Sequence, residues 1–135
     1  MNPAEQSRLA AALRPGEQIL WQGKGTGAVA PRSGLLARLF GKKEAPQAAT
    51  LYAITPKRVL ALPPQGEAQE WFLMLGLIQS MEELPDGCGS IIFDFDEQDG
   101  RKIPRGIIGV PQVARVKNLL ADAIDAAYNA SPWSV

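Results

Sequence analysis

The chain has 135 residues, 46% of them apolar, which suits one domain built around one core. It holds no histidine and a single cysteine, Cys88, so an internal disulfide, a histidine-based triad and most transition-metal sites are excluded. No apolar run reaches the length of a transmembrane helix and no early apolar run follows basic residues, so the pattern predicts a cytoplasmic protein with neither a membrane span nor a signal peptide.

A formal charge of zero hides an asymmetry. Residues 1–66 carry nine basic against three acidic side chains, and residues 67–100 carry nine acidic and none basic. Folding either interleaves these charges or leaves a bipolar molecule suited to anionic surfaces or head-to-tail stacking.

Asn2-Pro3-Ala4-Glu5 has the pattern of a helix start, with Asn2 as cap, Pro3 in the first position and Glu5 closing a capping box. The helix is predicted to run to Leu13, where Pro15-Gly16 follow, and to cover a barrel end or a sheet edge. Glu17 to Lys24 is the first predicted strand, with Trp21 in the core. Residues 25–48 form a long connection rich in Gly, Ala and Pro. Within it, Leu35, Leu36, Leu39 and Phe40 make one apolar face on a short helix flanked by Arg32, Arg38, Lys42 and Lys43.

Leu51 to Leu62 reads as a β-hairpin around Thr55-Pro56-Lys57-Arg58. Pro56 fixes φ near −65°, which excludes the primed two-residue turns and predicts a four-residue corner with Ile54 facing Val59. Strands are expected over Glu67–Leu75 and Gly76–Leu84, with helix a competitor for both. Gly89–Phe95 is the strongest strand, with Ile91, Phe93 and Phe95 on one face. Arg101–Val110 is a strand or extended segment broken at Pro104. From Pro111 to about Tyr128, Val113, Val116, Leu120, Ile124 and Ala127 mark one face of a long helix, followed by a tail containing Trp133.

Four stretches together resemble a bacterial pleckstrin-homology-like (PH-like) domain: residues 15–25 (PGEQILWQGKG), 51–62 (LYAITPKRVLAL), 77–95 (LIQSMEELPDGCGSIIFDF) and 106–127 (GIIGVPQVARVKNLLADAIDAA). The resemblance covers about 80 residues and rests on order and spacing more than on any one motif. It implies a mainly β, α+β fold, a single domain over residues 1–135, in which a seven-stranded, partly open antiparallel barrel is capped by the C-terminal helix. Many such relatives carry a transmembrane hairpin where this chain has residues 25–48, so a soluble member is implied.

Nucleotide-binding, hydrolase, redox and metalloprotease signatures are absent. A calcium loop starting at Asp94 fails its register, with Gln98, Asp99 and Arg105 at positions 5, 6 and 12. With no nucleophile–base pair and no cofactor motif, the chain reads as a non-catalytic binding or scaffold module. The nominated contacts are Arg32, Leu36, Arg38, Phe40, Lys42, Lys43, Lys57 and Arg58, offered to a protein partner or an anionic membrane surface, including the inner face of the cell membrane. Nucleic acid is disfavoured by the neutral total charge. The alternative is a structural protein that assembles with itself through sheet edges.

Overall fold

The computed structural model describes residues 1–27 and 49–130. In chain order these form α1 (Pro3–Ala12), β1 (Trp21–Gly25), β2 (Thr50–Ile54), β3 (Arg58–Leu62), β4 (Gln69–Phe72), a 3-10 turn (Leu73–Leu75), β5 (Ser80–Glu83), β6 (Gly89–Gln98), β7 (Arg101–Val110) and α2 (Val113–Asn129). The strands make two antiparallel sheets, ordered β1-β2-β3-β4 and β5-β6-β7. The class is α+β and mainly β, with one short N-terminal and one long C-terminal helix.

The β2–β3 hairpin forms around the predicted corner, with Ile54 paired to Val59. Thr55 shapes it: its hydroxyl accepts from the Lys57 and Arg58 amides at 3.2 and 3.0 Å, while its own amide donates to the Arg58 carbonyl. Both faces of the hairpin are buried. Tyr52, Ile54, Val59 and Ala61 point into the main core with Trp71, Ile91, Phe93, Ile107 and the α2 stripe. Leu51, Ala53, Leu60 and Leu62 point the other way and meet Leu9 of α1.

α1 opens as predicted. The Glu5 amide donates to Asn2 Oδ1 at 2.8 Å and the Asn2 amide donates to Glu5 Oε1 at 2.9 Å, completing the capping box. The helix covers a sheet face, not an edge or an open end, because Leu9 is its one buried residue and sits on the outer hairpin face.

Several strand expectations change. β1 begins at Trp21, four residues late, because Glu17 is held in a turn: its amide donates to the Arg14 carbonyl and its carboxylate accepts from the Arg14 amide. β4 stops at Phe72, short of the expected Leu75, and Gly76 at φ 64° lets its amide close a turn on the Leu73 carbonyl. β5 is short and all four of its residues are exposed. β7 runs unbroken through Pro104, which pairs with Phe95. Only β6 neighbours β7 within its sheet, so a proline can sit where no second ladder needs its N–H. β6 shifts register between Ile92 and Asp94 and outruns β5, so Phe95 is 50% exposed while Ile91 and Phe93 are buried.

The two sheets meet on the β1–β7 side. There the Tyr52 hydroxyl accepts from the Ile108 amide at 3.2 Å, and the Gly27 amide donates to the Ile108 carbonyl at 3.4 Å. Near the other end of the first sheet, Trp71 Nε1 donates to Asp94, which also holds Arg105 in a two-bonded ion pair. Trp71 meets Phe93 edge-on at 5.2 Å. α2 starts at Gln112, whose left-handed φ of 51° turns the chain so that the Val113 amide reaches the Gly87 carbonyl. Val113, Val116 and Leu120 of the expected stripe are buried, Ala123 joins them, and Ile124 and Ala127 are half-buried at its edge.

Candidate docking site

An open trough runs along α2. Its volume is 560 Å³, and it is walled by Leu20, Pro56, Lys57, Phe72 and Met74 on one side and Ala123, Ala126, Ala127 and Ala130 on the other. A second hollow, of 420 Å³, lies between Leu20–Gly23 and the first turns of α2, with Arg115 and Leu119 in its lining. Leu20 lines both.

Each wall is fixed by local chemistry. The Leu20 amide donates to the Ile54 carbonyl at 2.7 Å, anchoring that residue at the hairpin corner. Pro56 and Lys57 are the exposed tip of that corner. The Leu73 amide donates to the Lys57 carbonyl at 2.9 Å, which brings Phe72 and Met74 beside it. On α2, alanines at 123, 126, 127 and 130 recur at helical spacing, and the absence of long side chains there leaves the helix backbone approachable. Large apolar side chains stay uncovered among the described residues: Leu20 is 44% exposed, Met74 48% and Leu75 74%. Apolar groups clustered in a concave surface mark contact sites far better than scattered ones.

Under the corner lies a charged cluster. Arg58 is the first residue of β3 and is 5% exposed. Its guanidinium donates to Glu17 Oε1 at 2.6 Å and Oε2 at 2.8 Å, to Glu70 Oε2 at 2.7 Å and to the Ala12 carbonyl at 3.1 Å. These bonds hold the Glu17 carboxyl down at about 2, well below its usual range, and push the Arg58 guanidinium upward. A buried cation with this set of partners is a structural tie between α1, the Glu17 turn, β3 and β4. Arg58 therefore does not offer its charge to a partner, because that charge is already neutralised beneath the surface.

The other nominated residues fall differently. Lys57 is exposed and lines the trough. Arg32, Leu36, Arg38, Phe40, Lys42 and Lys43 lie outside the described residues, as does Trp133. The two roots of their connection are Gly25 and Thr50, which pair with each other at the far end of β1 and β2 from Lys57.

Sequence reasoning missed Leu20, Phe72, Met74 and the alanine ridge. A signal did exist. Residues 71–75, WFLML, are five consecutive apolar residues across the end of β4 and the 3-10 turn, and Trp71 and Leu73 enter the core while Phe72, Met74 and Leu75 stay exposed.

Other chemistry is sparse. Desolvation and the neighbouring Asp86 carboxylate raise the Cys88 thiol above its ordinary value, opposite to what a nucleophilic thiol needs. Among the described residues no group of three or more Cys, Asp or Glu side chains is placed to hold a metal ion, and no helix is long and apolar enough to cross a membrane. No family model, curated protein or solved structure matches this chain.

Proposed function

We propose that this chain is a non-catalytic docking module, a PH-like, partly open barrel capped by α2, that seats a protein partner in the trough beside that helix. One observation carries the reading: an apolar concavity beside α2 with Leu20, Phe72 and Met74 open in its wall. The contact between Gly27 and Ile108 on the β1–β7 side supports the barrel part of the reading.

An apolar fluorescent dye tests the trough directly. One dye should bind per chain. Ala126→Glu, which places a charge on an exposed position of the ridge, should abolish the binding while circular dichroism stays unchanged. Dye binding insensitive to that substitution would refute the site. The basic stretch 32–43 extends the proposal to a peripheral contact with anionic lipid. Co-sedimentation with anionic vesicles at low salt, weakened by Leu36→Asp with Lys42→Glu, is the expected result. No sedimentation would remove that extension and leave the trough standing.

A second reading, self-assembly through sheet edges, is favoured by β5, which ends its sheet with all four residues exposed. Light scattering that gives a monomer at high concentration would eliminate it.

A further inference from the structure

The chain carries two Asp-Gly pairs, each at a turn: Asp86-Gly87 between β5 and β6, and Asp99-Gly100 between β6 and β7. Such a pair is open to internal attack by the backbone, because glycine has no side chain to shield its amide nitrogen or to hinder its rotation. The fold treats the two pairs differently.

Asp86-Gly87 is pinned. Asp86 Oδ1 accepts from the Cys88 amide at 2.9 Å, and the Gly87 amide donates to the Leu84 carbonyl at 2.9 Å. The Gly87 carbonyl accepts from the Val113 amide at 3.0 Å, which ties the turn to α2. Asp99-Gly100 is open. Gln98 pairs with Arg101, so residues 99 and 100 form a two-residue loop, and their φ values of 50° and 75° are those of a type I′ turn. Asp99 is thus a non-glycine residue held in the left-handed region. Both residues are exposed, and neither the Asp99 carboxylate nor the Gly100 amide has a hydrogen-bond partner among the described residues. β5 pairs with β6 no further than Ile92, so no third strand braces this tip.

We infer that Asp99-Gly100 is a site of spontaneous aspartyl isomerisation, and that the fold protects Asp86-Gly87 from the same reaction. The Gly100 nitrogen attacks Asp99 Cγ. A Cγ–N bond forms and a Cγ–O bond breaks. The oxygen leaves as water, taking the amide proton and the carboxyl proton, and a succinimide ring remains. Water then adds to either carbonyl of the ring. Opening at Cγ restores aspartate. Opening at the Asp99 carbonyl carbon breaks its bond to the Gly100 nitrogen, so the chain runs through Cβ and Cγ and the α-carboxylate is free. Water is the co-reactant, released and returned, and nothing is oxidised or reduced. The product lengthens a two-residue loop by a backbone carbon, so the Gln98–Arg101 pairing loses its register. Ile91, Phe93, Ile107 and Val110, the core residues of the same two strands, lie away from the tip.

Attack at Asp86 requires its carboxylate to leave the Cys88 amide and the Gly87 amide to leave the Leu84 carbonyl. With two hydrogen bonds to give up, it should be at least about tenfold slower than attack at Asp99. The test incubates the full chain at neutral pH for several weeks, once folded and once in guanidinium chloride. Isoaspartate is counted by methyl transfer from S-adenosylmethionine with an isoaspartyl methyltransferase, and is placed by fragmentation mass spectrometry. In the folded chain it should gather at residue 99, at least about tenfold over residue 86, and residue 99 should take up label from heavy-oxygen water. In denaturant the two rates should converge. Equal rates in the folded chain, or a faster rate at residue 86, would overturn the inferred protection. A preference for residue 99 that persists undiminished in denaturant would assign it to sequence neighbours and overturn the part given to the fold. A folded chain that forms no isoaspartate at residue 99, while the unfolded chain does, would show that the turn shields Asp99 and would overturn the site.

Discussion

Replacing Glu17 by Gln asks how much the buried cluster under the hairpin corner stabilises the fold. The substitution keeps the shape of the side chain and removes its charge. Arg58 would then retain Glu70 at 2.7 Å and the Ala12 carbonyl, but lose its two-bonded partner. The Glu17 carboxyl is lowered from 4.5 to about 2, which corresponds to about 3 kcal/mol at neutral pH. Breaking a buried pair costs about 3–5 kcal/mol when the remaining charge is stranded. Here Glu70 compensates in part, so we expect a loss of about 2–3 kcal/mol. That is a large share of a domain stability of about 5–15 kcal/mol.

The pH dependence gives a second handle. Because the folded-state value is depressed, the stabilisation is fully present above about 4.5 and is lost as pH falls through about 2. Urea unfolding of both proteins, followed by tryptophan fluorescence, should show the full difference at neutral pH, a smaller one near pH 3 and almost none at about pH 2. A difference under about 0.5 kcal/mol at neutral pH, or one that does not change with pH, would show that Glu17 is not the anchor described.

Other outcomes follow from the same packing. Leu120→Ala removes a fully buried side chain under α2 and should cost about 2–5 kcal/mol by calorimetry, with α2 the first element to lose exchange protection. Gly106→Ala should be poorly tolerated, with a loss of at least about 2 kcal/mol in urea, because φ is 152° and a Cβ would overlap the Ile91 carbonyl oxygen. Asp94→Asn weakens a half-exposed pair with Arg105 and should cost only about 1 kcal/mol or less at neutral pH. Phe72→Asp should leave the unfolding midpoint within about 0.5 kcal/mol of the parent and still empty the trough of dye, since Phe72 is already 38% exposed.

Much of this architecture was legible as local chemistry. The capping box of α1, the proline corner of the hairpin and the apolar stripe of α2 each depend on residues within a few positions of one another, so their spacing alone predicted them. Strand ends were less legible. Glu17 leaves the first strand because it closes a turn on Arg14, and its carboxylate is held as well by Arg58, which lies 41 residues away. Phe95 is exposed, unlike Ile91 and Phe93, because β5 ends short of it. Arg58 looked like a surface cation because a charge on a turn usually is one, and only its partners from three other segments make it a buried tie.

Periodicity and turn chemistry set which segments become helices and strands, because those preferences act through neighbouring backbone and side-chain contacts. The trough had no such local origin. Leu20, Pro56, Phe72 and Ala126 come from four separate segments, and no local spacing links them. Sheet registry and the seating of α2 bring them to one surface, and a concavity exists only once its walls have been placed.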